Sequence, residues 1–150
     1  MEFIKDTPEN IKELVSKANN KGSWKVRLWA LDELKKYDCQ QTRDVVTRLA
    51  LHDKVFKVKE EAFRVAQALG IKKQGKPIYL GKKDIGFKAK DFTKTFARVK
   101  REAKMEELDL ELFKDRFQHI NPEMYDVMSY EKGNKFEDWI INTYKSLPKK

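Results

Sequence analysis

Trp24-Lys25-Val26-Arg27-x-x-Ala30-x-x-x-Leu34 returns 32 positions later as Phe56-Lys57-Val58-Lys59-x-x-Ala62-x-x-x-Ala66. An aromatic, a basic residue, a valine, a cation, a small alanine and a closing apolar residue recur in register. A fixed period in this range predicts stacked helical units, each burying its apolar face on the next. Local signals around the repeat supply the helix ends. Thr7-Pro8-Glu9 has the form of an N-cap followed by proline, and Ile11, Leu14, Val15 and Ala18 follow at helical spacing up to Asn19-Asn20-Lys21-Gly22. Ser23 is placed to cap a second helix reaching Tyr37, with Val26, Ala30, Leu31 and Leu34 on one face. Asp38-x-x-Gln41 has capping-box spacing and predicts a third helix with Val45, Val46, Leu49 and Ala50 inward. Asp53 is read as the cap of a fourth, which Gly70 closes in the left-handed conformation.

The chain changes character after Gly70. Residues 71–87 hold Gly75, Gly81, Gly86 and Pro77 around the short apolar island Ile78-Tyr79-Leu80, predicting a loop or a small hairpin. Helical periodicity resumes near Lys88 and extends towards Glu106. Leu110, Phe113, Phe117 and Ile120 mark the next helix. Asn121-Pro122-Glu123 caps another carrying Met124, Val127 and Met128, and Gly133-Asn134 precedes a last one with Phe136, Ile140 and Leu147 inward. Trp139 reads as core. No echo of the 32-residue period is visible in this half. The expected organisation is therefore all-α: helical repeats over 1–70, a basic Gly/Lys loop over 71–87, and a helical C-terminal subdomain over 88–150 packed on the repeats in one compact domain.

The segment from Asp53 through Val58-Lys59, Ala62, Ala66 and Ala68 to Leu69-Gly70 resembles the short HEAT-like repeat of the bilin-lyase type. That pattern is an aspartate, a valine-arginine pair, spaced alanines and a closing leucine-glycine. The first copy departs from it: Ser23 replaces the aspartate and no glycine closes it. The resemblance covers about residues 8–70. It implies a short right-handed α-α superhelix of the HEAT and armadillo kind, with Arg27 and Lys59 placed to tie one repeat to the next through a carboxylate. It also implies a scaffold that binds proteins or nucleic acids along a curved surface. Some HEAT-like proteins are DNA glycosylases, but two recognisable repeats are too few to wrap a duplex, and no catalytic positions map onto this chain.

Charge narrows the partners. The net +9 is concentrated in residues 70–105, where 12 Lys and Arg face 3 Asp and Glu. Such clustering points to a polyanion. On a helical wheel through residues 88–104, Lys90, Lys94, Arg98, Arg101 and Lys104 form a stripe opposite the seam of Phe92, Phe96, Val99 and Ala103. Lys82, Lys83 and Lys88 precede it, among Tyr79 and Phe87. A charge run is more often a solvated face, and the stripe carries no base-reading signature. Trp24 and Trp29 cannot both face one core, so one of them, with Phe56 in the next repeat, is a candidate protein-binding anchor. Packing of all three between helices is the plainer expectation.

Little here predicts catalysis. His52 and His119 lack any ligand spacing, no metal site or cofactor motif is present, and Cys39 stands without a base. A single cysteine excludes an intramolecular disulfide. The opening residues show no leader pattern and no stretch has the length to span a bilayer, which predicts a cytoplasmic chain. The favoured function is a non-catalytic interaction module that binds another protein. The alternative is non-specific binding of DNA or RNA through residues 72–104.

Overall fold

A computed structural model describes residues 2–148. The described chain is mostly helical and all-α, with one two-stranded sheet. It divides into two compact units, one ending at Ile85 and the other starting at Gly86.

The first unit holds α1 (Ile11–Ala18), α2 (Trp24–Leu34), α3 (Gln40–His52) and α4 (Phe56–Leu69). Short connections make hairpins of α1 with α2 and of α3 with α4. The hairpins then stack, α1 against α3 and α2 against α4. Small residues permit the approach: Ala30, Ala50 and Ala62 have no exposed surface, and Leu31, Leu34, Val46 and Val58 fill the layer between helices. One guanidinium ties the two hairpin turns together. Arg27 Nε and Nη2 donate to Asp53 Oδ2 and Oδ1 at 2.8 and 3.2 Å, and Nη1 donates to the Asn20 carbonyl at 2.8 Å. Asp53 Oδ1 also accepts from the Val55 N–H at 2.9 Å. Both side chains are buried. Lys59, at the equivalent place in the second copy, reaches the Leu51 carbonyl at 3.1 Å instead.

Helix ends depart from the sequence reading where a side chain has a better partner. Ser23 Oγ does accept from the Val26 N–H at 3.2 Å. Thr7-Pro8 is not a cap, because a turn through the Pro8 carbonyl delays α1 to Ile11. Asp38 does not build a capping box; its carboxylate takes a bidentate bond from Arg43 at 2.7 and 3.1 Å, so Cys39 stands at the N-cap of α3. Arg43 also donates to the Leu69 carbonyl at 3.2 Å, holding the end of α4. Asp53 closes α3, and Val55 occupies the N-cap of α4. Gly70 adopts φ +67°, and the Ile71 N–H returns to the Ala66 carbonyl in a Schellman closure. The N-terminal segment adds a feature without a sequence signal. Ile4 forms a parallel bridge with Tyr37, through Ile4 N–H to Lys36 O and Asp38 N–H to Ile4 O, both 2.8 Å.

After α4, β1 (Lys72–Lys73) and β2 (Lys76–Pro77) pair in a small antiparallel hairpin, and its chain continues to the end of this unit.

The second unit comprises α5 (Ala89–Glu102), α6 (Leu110–Ile120), α7 (Pro122–Lys132), a 3-10 turn (Gly133–Lys135) and α8 (Phe136–Lys145). Each helix packs on its chain neighbour, and α8 returns to α5, closing a ring. The centre is aromatic. Phe96, Phe113 and Phe117 have no exposed surface, and Phe96 meets Phe113, Phe117 and Trp139 with ring centroids 4.8, 5.3 and 5.3 Å away. Asn121 Oδ1 caps α7 by accepting from the Met124 N–H at 3.1 Å, with Pro122 beginning the helix as expected.

Arg27→Met leaves the Asp53 carboxylate buried without its partner, and we expect a loss of about 3–5 kcal/mol in urea unfolding. Arg43 bonding holds the Asp38 carboxyl below its ordinary value of 3.8. The stabilisation from this pair is therefore complete above 3.8 and disappears as pH falls through the lower folded value. Arg43→Met should be less stable than the parent at neutral pH and show a shallower decline below pH ~4 in acid unfolding followed by circular dichroism.

Candidate functional site

The basic helix α5 starts on its own acid. Asp91 Oδ2 accepts from the Lys88 N–H at 2.8 Å, which satisfies one of the free amides of the first turn. The apolar seam forms as the wheel requires, with Phe96 and Val99 fully buried and the Phe92 ring 5.2 Å from Trp139. Opposite it, Lys88, Lys90, Lys94, Arg98, Arg101 and Lys104 are all exposed. Lys100 lies off the stripe, its Nζ 5.5 Å from the Tyr144 ring centroid.

Within the stripe one cation is paired along the helix, with Arg98 Nε 2.9 Å from Glu102 Oε2. The two residues are one helical turn apart, which is the spacing that favours such a pair. Among the described residues, Lys90, Lys94, Arg101 and Lys104 have no carboxylate at ion-pair distance. Lys104 lies beyond the helix rather than within it, at φ +52°, with Met105 N–H returning to the Lys100 carbonyl at 3.0 Å.

The tertiary structure adds a shape that the wheel does not contain. Lys94, Arg98 and Arg101 line a groove of about 330 Å³ together with Thr95, Ala97, Ile120 and Asn121. The end of α6 and the cap of α7 thus form the other wall. Convergence of cations in a concave surface focuses their field more than a flat row would. Ile120 and Asn121 were legible only as a helix end and a cap.

The remaining candidates lie in the first unit. Lys82 and Lys83 are exposed on the segment after the hairpin. Trp29 is 46% exposed, and Lys17 Nζ sits 4.8 Å from its ring centroid. Trp24 is half-buried with Lys25 Nζ 5.7 Å from its ring, and Phe56 is half-buried at the start of α4. One tryptophan of the pair is therefore the exposed one, and it is Trp29. Tyr79 is the more exposed aromatic at 77%. Cys39 Sγ lies 3.4 Å from Thr42 Oγ1. Among the described residues no group of three His, Cys, Asp or Glu side chains is disposed to hold a metal ion. Among the described residues no helix is long and apolar enough to cross a membrane.

No protein-family model, curated protein or solved structure matches this chain.

Lys104 holds a left-handed conformation that costs a residue with a Cβ more than it costs glycine. Lys104→Gly should stabilise the second unit by about 1 kcal/mol in thermal or urea unfolding.

Proposed function

We propose that the chain is a non-catalytic binding module and that the exposed face of α5 binds the phosphate backbone of nucleic acid. The groove shared by Lys94, Arg98 and Arg101 carries this reading. A solvated basic face is the plain alternative. Elsewhere Lys17 pairs with Glu13, Lys35 with Asp32, Lys36 with Glu33, and Arg64 with both Glu60 and Glu61, while Lys12, Lys25, Arg48 and Lys57 are exposed on their helices with no carboxylate at ion-pair distance among the described residues. What sets α5 apart is that Lys90, Lys94 and Arg101 lie unpaired on one face of one helix, beside an Arg98 that pairs with Glu102. Like charges on successive turns repel one another, and a row of phosphates relieves that repulsion while releasing its counterions.

A second reading is favoured by Trp29. Nearly half-exposed on α2, it is a candidate anchor for a protein partner on the outer face of the first unit. Pairwise stacking of the hairpins and the Arg27–Asp53 tie support a HEAT-like arrangement there, which is a common platform for such binding.

Fluorescence anisotropy with labelled nucleic acid at about 50 and 200 mM salt tests the first reading. If Lys90, Lys94, Arg98 and Arg101 each neutralise one phosphate, affinity should fall about 100-fold across that range. The triple variant Lys90→Glu, Lys94→Glu, Arg101→Glu should abolish binding, whereas Trp29→Ala should leave it unchanged. Absence of binding at the lower salt would discard the phosphate reading.

A further inference from the structure

We infer that a groove between the last turn of α4 and the β1–β2 hairpin docks an acidic peptide segment of a protein partner and seats one of its apolar side chains. The site lies wholly within the first unit and stands independently of the phosphate reading above.

Gly70 begins the groove. Its left-handed conformation turns the chain out of α4, and a Cβ there would meet nothing within 4 Å. The hairpin then reverses through Gln74 and Gly75, at φ +54° and +79°, and Ile78 anchors the returning chain at 7% exposure. Ala66, Ile71, Pro77 and Ile78 line an apolar groove of about 250 Å³, with Gln67 and Lys72 as its polar lining. Sites that enclose a cofactor or small ligand run to ~300–1,000 Å³, so this one suits a side chain better.

Charge selects the occupant. Lys72, Lys73 and Lys76 are exposed, and among the described residues none of them has a carboxylate at ion-pair distance. Residues 62–83 contain no Asp or Glu. Lys73 stands directly across the hairpin from Lys76, a like-charge pair that weakens the strands and that a carboxylate beside it would relieve. The C-terminus of a helix ordinarily repels an anion, but three of the last four carbonyls of α4 are already engaged. Ala66 O accepts from the Ile71 N–H at 3.0 Å, Gln67 O from the Gly70 N–H at 3.1 Å, and Leu69 O from Arg43 at 3.2 Å. An apolar centre with a charged rim is the anatomy of a protein interface. A nucleic-acid backbone would meet the lysines and leave the apolar walls without a complement. A peptide brings carboxylates and an aliphatic side chain on one strand.

The test is fluorescence anisotropy of the full chain with a labelled peptide of about eight residues in which glutamates flank one leucine. A second peptide has serine in place of the leucine. Their equal charge makes the difference between them report the groove rather than the net +9 of the protein. The leucine peptide should bind about tenfold more tightly. Ile71→Ser should erase that preference. Lys72→Glu should weaken the leucine peptide more than Lys12→Glu, an equal change of charge on α1, and circular dichroism verifies the fold of each variant. Lys72 is exposed, so its variant keeps the test if Ile71→Ser unfolds. No preference for leucine in the parent, a preference unchanged in a folded Ile71→Ser, or equal losses in the two lysine variants overturns the proposal. Displacement of the leucine peptide by a thymidine strand as effective, at equal charge, as by the unlabelled peptide overturns it in favour of nucleic acid.

Discussion

The ion pair between Arg27 and Asp53 is the constraint on which the first unit depends. A buried guanidinium is tolerated only when its donors are satisfied, and here three contacts come from two different turns. The Asn20 carbonyl belongs to the α1–α2 turn and Asp53 to the α3–α4 connection. Satisfying one side chain therefore sets the second hairpin on the first. The planar fork of arginine is suited to this, because it can bind a carboxylate through two nitrogens and still present a third. Lysine in the second copy offers a point charge, and Lys59 meets a single backbone carbonyl. The position 32 residues after Asp53 is Ile85, which has no carboxylate to offer Lys59.

Aromatic packing has the corresponding role in the second unit. Phe96 on α5 touches rings from α6 and α8, so the inward face of α5 is specified by shape. That specification also orients the outward face. With Phe96 and Val99 held in, Lys90, Lys94, Arg98 and Arg101 face outward, and the carboxylate that begins the helix is engaged by the backbone. The basic face follows from core packing as much as from composition. Where α6 ends and α7 begins decides that part of this face is concave.

Much of the fold was legible because it rests on short-range rules. Val45, Val46, Leu49 and Ala50 recur at helical spacing and are buried. Gly70 closes its helix in the left-handed region, and Asn121-Pro122 caps α7, because few other residues satisfy those geometries. The reading failed where long-range partners compete. Asp38 had the spacing of a cap, but Arg43 bonds its carboxylate. Ile4 gave no strand signal, since its partner is the turn after α2. The cations of the α5 stripe are exposed, as helical spacing predicts, but that Arg98 meets Glu102 follows only from the rotamers the two side chains adopt.

By itself, the sequence determined helical periodicity, some helix ends such as Ser23, Gly70 and Asn121, many of the core residues and the concentration of positive charge after residue 70. These are properties of neighbours along the chain, governed by a 3.6-residue period and by which side chains reach their own backbone. Tertiary structure alone decided which tryptophan is exposed, which carboxylates are consumed, and that Lys94, Arg98 and Arg101 converge with Ile120 and Asn121 on one groove. Those outcomes depend on residues far apart in the chain meeting in space, and a linear pattern does not contain that information.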